Sequence, residues 1–188
     1  MTVIIIIAVL AVLVLCVISV QRKLVQLDEF SKNALKQINV QQMSRYDALT
    51  TMVEMAREYA LDVESKTIIE AIGRRRPVQS ANPTVDQINQ NEQLLNQARV
   101  QLNAVAERYP ELTSAELYEK AQKTYAQNED QVRLSRMTFN DTVTRFNTQV
   151  RMFPGSLVAG PLGFTQKAYL EEDKEKADLP KDLFRKRD

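Results

Sequence analysis

The stretch QINVQQMSRYDAL, Gln37 to Leu49, decides how many helices this chain builds. It lies within a run that has no proline before Pro77 and no glycine before Gly73. Upstream, Leu24, Leu27, Ser31, Ala34 and Ile38 recur at three- and four-residue spacing. Downstream the row resumes as Leu49, Met52, Ala56, Tyr59 and Val63. That rhythm is the core-facing stripe of an amphipathic helix. Carried through the quoted stretch, it lands on Gln42 and Arg45, with Asn39 and Asp47 nearby. Burying such groups costs several kcal/mol unless partners satisfy them. Two readings follow. One helix runs on to Ile72 with a buried polar layer that fixes register, or it breaks near Gln41–Arg45 and adds a helix to the count.

Beyond Gly73, Arg74, Arg75 and Arg76 suit a helix C-terminus. PVQSANP, Pro77 to Pro83, clusters turn residues and predicts a loop. Thr84, with Asp86 and Gln87 behind it, predicts the N-cap of a second long helix. Its row is Ile88, Asn91, Leu95, Ala98, Leu102, Val105 and Tyr109, and Pro110 ends it. TSAE, Thr113 to Glu116, predicts a capping box. The third helix it would open is free of Pro and Gly from Ser114 to Phe153. Its late stripe reads Val132, Arg136, Phe139, Val143, Phe146, Val150 and Phe153. Asn140 and Asn147 are seven apart and share a face beside it. The expected fold is all-α: an N-terminal transmembrane helix, then an elongated antiparallel bundle of three long helices, four if the first breaks. The expected divisions are an anchor over residues 1–21, a bundle over 22–153 and a tail over 154–188. The tail opens with MFPGSLVAGPLGF, where Phe153, Pro154 and Phe164 are candidate anchors onto the bundle, and ends mostly charged.

The run from Val3 to Val20 carries no charge. At 1.5 Å per residue it spans about 27 Å, near the hydrocarbon thickness of a bilayer. A cleaved signal peptide would want a positive leading region and small residues before a cleavage site, and neither occurs. A retained anchor contacting membrane lipid through Val3–Val20 is the reading adopted. Arg22 and Lys23 follow the span directly, so the positive-inside rule places the N-terminus outside and the body in the cytoplasm.

Composition excludes several chemistries. Lys+Arg number 25 against Asp+Glu 24, which gives no net positive face for nucleic acid. With no His and a single Cys, Cys16, in the apolar span, no Ser-His or Cys-His nucleophile pair is available. A helical-bundle di-metal site would need Glu-x-x-His, and no Gly-rich phosphate loop precedes a helix. No catalytic residue, no cofactor and no metal ligand is therefore expected.

Several blocks together carry a family resemblance. They are LVQLDEFSKNALKQINVQ, RYDALTTMVEMAREYA, AERYPELTSAELY and RLSRMTFNDTVTRFNTQVRMFPGSLVAGPLGF. In this order, behind an N-terminal anchor, the chain resembles the LemA family. Leu35 stands where that family usually has Trp, Asn39 where it has Asp, and Thr51 where it has Asn. Asn140 and Asn147 match its pattern. The resemblance implies a bacterial inner-membrane protein with an elongated helical bundle facing the cytoplasm. It implies no catalytic residues.

The function expected is a non-enzymatic, membrane-anchored scaffold or interaction protein that binds a protein partner or assembles with itself. The alternative is a small-ligand or metal sensor using a polar layer. Candidate residues for the layer or for an interaction are Asn39, Gln42, Arg45, Asp47, Arg136, Asn140 and Asn147. The sensor predicts one cavity lined by Asn39, Arg45, Asn140 and Asn147.

Overall fold

A computed structural model of the chain describes residues 1–171. The charged end of the tail, residues 172–188, lies outside the described residues. All regular structure among the described residues is helical.

The first helix, α1, spans Thr2–Tyr59 without interruption. Lacking Pro and Gly, it passes straight through Gln37–Leu49, so the chain does not break near Gln41–Arg45. The break comes later. Ala60 turns to extended backbone (φ −69°, ψ 117°), and α2 runs over Val63–Gly73. The expected continuous helix to Ile72 is corrected here, and the cause is local. Asp62 caps α2 by accepting from the Ser65 N–H at 2.7 Å. The Tyr109 hydroxyl accepts from the backbone N–H groups of Leu61 (3.1 Å) and Asp62 (3.2 Å), and it donates to the Asp62 carboxylate. These bonds satisfy donors that a helix break leaves open. Val63, placed on the stripe by periodicity, is exposed.

α2 folds back along α1, so that Ile72 sits against Leu49 and Val53. The following loop continues in the same direction. The Asn39 side chain donates to the Ser80 carbonyl at 3.1 Å, which places the loop beside the middle of α1. Asn91 holds the loop further, accepting from Val78 N–H (2.8 Å) and donating to its carbonyl (2.9 Å). α3, Val85–Ala106, then runs parallel to α1, from Ile88 near Ile38 up to Val105 near Val53. Its start is the expected Thr84 N-cap, with a full capping box to Gln87.

The turn at the far end differs from the prediction. Pro110 opens a short helix, α4 (Pro110–Thr113), and Thr113 and Ser114 hydroxyls donate back to the Pro110 carbonyl. Those bonds consume the residues expected to form the capping box. α5, Glu116–Arg151, starts behind Ala115 without a side-chain cap. It returns antiparallel to α1, with Tyr118 and Tyr125 in the upper core and Phe146 beside Val20 and Leu24 at the lower end. Its length, about 54 Å at 1.5 Å per residue, matches the part of α1 beyond the apolar run. The legs therefore alternate: α1, then α2 with its loop, then α3, then α5.

A five-residue helix, α6 (Gly155–Ala159), follows a cis Phe153–Pro154 bond. A Cβ on Gly155 would lie 1.9 Å from the Gln149 carbonyl oxygen, so only glycine permits this close turn off α5. α6 packs its Ala159 and Val158 against Val20 and Leu24. The remaining described tail then runs back up the bundle in extended form to Leu170, which is buried beside Ile38 and Phe139. Three apolar clusters stack along the rod, and each fully buried Leu, Ile or Phe contributes about 1.5–3 kcal/mol.

Candidate functional site

Two polar assemblies interrupt this apolar stack. The first lies between α1, α3 and α5. Gln42 and Arg45 are one turn apart on α1 and face α3, where Glu92 stands one turn after Ile88. Arg45 is the largest fully buried side chain, at 0% exposure. Its Nη1 donates to Glu92 Oε1 at 2.7 Å, and its Nη2 donates to Tyr125 Oη at 3.0 Å and Asn96 Oδ1 at 3.2 Å. Gln42 Nε2 donates to Glu92 Oε2 at 2.9 Å and to the Ile88 carbonyl at 3.0 Å. Arg136, from α5, brings a second guanidinium to 4.0 Å from Glu92.

Burial opposes the charge on Arg45, but the Glu92 carboxylate and the Tyr125 hydroxyl outweigh it and hold the guanidinium's pKa above its ordinary value. Burial likewise pushes the Tyr125 hydroxyl up, against the pull of Arg45 and Arg99. The two guanidinium carbons sit 4.9 Å (Arg45) and 5.0 Å (Arg99) from the Tyr125 ring centre, a cation–π arrangement. Gln42 Oε1, Arg45 Nε and Arg136 Nη1 are buried without a hydrogen-bond partner. An ion cluster that is only partly satisfied adds little net stability, but it penalises any register that separates its members.

The second assembly straps the tail to α5 and α1. Asn147 Nδ2 donates to the Lys167 carbonyl (3.0 Å) while its Oδ1 accepts from Lys167 N–H (2.8 Å). Asn140 repeats this on Leu170, at 3.2 Å and 3.0 Å. The match is metric. Seven helical residues advance about 10.5 Å, and three residues of extended chain cover about 9–10 Å. Arg136 adds a third grip by donating to the Glu171 carbonyl.

Side chains lock the same strap to α1. Lys167 Nζ pairs with Asp28 Oδ1 at 2.6 Å, donates to Ser31 Oγ at 2.8 Å, and lies 5.2 Å from the Phe146 ring centre. Burial pushes the Asp28 carboxyl up, but hydrogen bonds from Lys167 and Lys32 hold it below its ordinary value of 3.8. Phe164 meets Phe146 edge-on, with centroids 6.0 Å apart.

The predicted site residues therefore divide. Gln42, Arg45 and Arg136 gather at Glu92, whereas Asn140 and Asn147 read the tail backbone and Asn39 holds the Ser80 loop. Asn39, Arg45, Asn140 and Asn147 engage four separate partners. Asp47 lies outside the layer, exposed on the face of α1 turned toward Lys120 and Thr124. Of the expected tail anchors, Phe164 packs on the bundle, Pro154 is half-buried, and Phe153 is 79% exposed because α5 ends before it. Leu170 and Lys167 do much of the anchoring instead. Glu92 escaped the sequence reading because it sits one place beyond the Asn91 row. Its only sequence signal is that a carboxylate is needed opposite an arginine on a core stripe. Among the described residues no group of three or more His, Cys, Asp or Glu converges as a metal site would require.

Among the described residues one helix, α1, is long and apolar enough to cross a membrane: an 18-residue window near its N-terminus has mean hydropathy 3.6 and is only 6% buried. No curated protein matches the chain. The sequence pattern of the LemA family matches residues 34–184. That match takes in the ion cluster and both asparagine clamps, and since it spans most of the 188 residues, the chain belongs to the LemA family.

Proposed function

We propose that this protein is a non-enzymatic scaffold, anchored in the inner membrane by Val3–Val20, whose bundle stands in the cytoplasm and binds a protein partner or further copies of itself. One observation carries the reading: the apolar run and the bundle share a single uninterrupted helix, α1. Such a helix transmits the orientation of the span directly to the rod. From Val20 to Tyr59 it extends about 59 Å, a reach suited to contacts at a distance from the lipid surface. Confinement of neighbouring anchors to two dimensions raises effective concentration, so weak lateral contacts suffice. Arg22 and Lys23, both exposed, support the cytoplasmic placement of the rod.

The sensor alternative needs Asn39, Arg45, Asn140 and Asn147 on one cavity. Their separate engagement with Ser80, Glu92, Leu170 and Lys167 favours the scaffold. In-membrane crosslinking read by mass spectrometry tests it, and defined crosslinks to a partner or between copies are expected. A strictly monomeric full-length protein in detergent, together with no crosslinked partner in membranes, sinks the proposal.

A further inference from the structure

Most exposed apolar side chains of the bundle are scattered singly, as is normal for a protein surface. The segment at the lower end of α5 is different. Met152 (61% exposed), Phe153 (79%), Leu157 (68%) and Leu162 (40%) lie within one short stretch. Met152 to Phe164 carries no charged residue at all. The fold puts this stretch at a particular height. α6 is pinned by Val158 and Ala159 to Val20 and Leu24, the residues with which α1 leaves the apolar run. Phe146 packs at that same level, and α5 continues past it toward the span for one more turn and a half. Met152 and Phe153 therefore stand level with Val20 or closer to the span. Arg22 and Lys23, which follow Val20 in the chain, and Arg151, which precedes Met152, are exposed at this same end of the bundle.

We propose that residues 152–162 form a second membrane contact, lying in the headgroup region of the same bilayer that α1 crosses. This rests on the anchor reading above and deepens it. The occupant is lipid because the apolar patch is continuous in height with the end of the apolar run. Its composition also suits an interface: apolar side chains to enter the acyl boundary, an aromatic ring, and a cationic rim for phosphates. With α1 crossing and α6 lying flat, the rod has two fixed points on the surface, which holds its tilt and rotation. The packing of Gly155 against Gln149 sets how α6 leaves α5, and so how it meets the lipid.

The chain has no Trp, so single-tryptophan variants report one place each. The full chain would be reconstituted into vesicles of phosphatidylcholine and phosphatidylglycerol, with and without bromine on the upper acyl chain. Phe153→Trp and Leu157→Trp are expected to emit to the blue of Leu134→Trp and to be quenched about twofold or more by the brominated lipid. Leu134, exposed on α5 about 26 Å from its end, should be unaffected. Val12→Trp lies near mid-bilayer and reports the anchor itself, so it is read with lipid brominated near the acyl-chain ends, which should quench it. If Val12→Trp is quenched while Phe153→Trp and Leu157→Trp behave like Leu134→Trp, α6 stands in water and the proposal falls, with the anchor intact. Blue-shifted but unquenched emission at both sites means protein covers the patch, which also overturns it. An unquenched Val12→Trp removes the anchor reading and this proposal together.

Discussion

Replacing Glu92 by Gln should be the most damaging isosteric change in the bundle. Glu92 is the one carboxylate described in contact with the two guanidiniums of the inner cluster, Arg45 at 2.7 Å and Arg136 at 4.0 Å. Arg45 is fully buried and its charge is held firmly, so it cannot escape by losing a proton. Breaking a buried pair from one side costs about 3–5 kcal/mol, because a buried charge is left uncompensated. That is a large part of the roughly 5–15 kcal/mol by which native domains are stable. For a chain of this size each kcal/mol moves Tm by about 2–4 °C, so Glu92→Gln should lower Tm by about 6–20 °C. Arg45→Met should cost less, about 1–3 kcal/mol. It leaves Glu92 still bonded to Gln42 at 2.9 Å and near Arg136. The double variant should melt close to Arg45→Met alone, since the stranded guanidinium is gone. Thermal unfolding of the full chain in detergent, followed by far-ultraviolet circular dichroism, reads all three. If Arg45→Met proves as damaging as Glu92→Gln, or the double variant is the least stable, the assignment of Glu92 as the shared counter-ion is wrong.

Three further expectations concern the tail and α6. Asn140→Ala and Asn147→Ala each remove two hydrogen bonds to the strap, a loss of about 1–3 kcal/mol apiece; trypsin should then cut after Lys167 faster, and an unchanged rate would count against the clamps. Because the folded Asp28 carboxyl lies below 3.8, its contribution to docking is full above that value and is lost as pH falls through the lower folded value. Pepsin cleavage between Phe164 and Leu170 should therefore rise only on acidification below 3.8 in the parent chain, but already be high above that pH in Asp28→Asn; equal rates in the two chains at the higher pH would refute the pairing. Gly155→Ala should destabilise by about 1–3 kcal/mol through its clash with Gln149, whereas Gly160→Ala, which meets nothing within 4 Å, should melt like the parent.

The asparagine clamps show where sequence reasoning reaches its limit. Asn140 and Asn147 stand out by their seven-residue spacing, and a polar role on one helix face follows from that alone. Their partner does not, because the strap's backbone carries no side-chain signature. It had to be brought from residues 167 and 170 by the turn at α6. The hinge at Ala60 was hidden for a related reason. No Pro or Gly marks it, and its bonds come from Tyr109, more than forty residues away.

Sequence by itself determined the apolar run, the helical class, the Thr84 cap, most of the buried stripe and the family. These follow from local periodicity, composition and short-range capping, which act within a few turns of chain. Tertiary structure alone decided that α3 runs parallel to α1, that Glu92 neutralises Arg45, and that the strap lies on α5. Each depends on two distant segments meeting at one height along the rod. That height is set by where α1 ends and how far the loop before Thr84 travels, and no local pattern in Gln37–Leu49 encodes either.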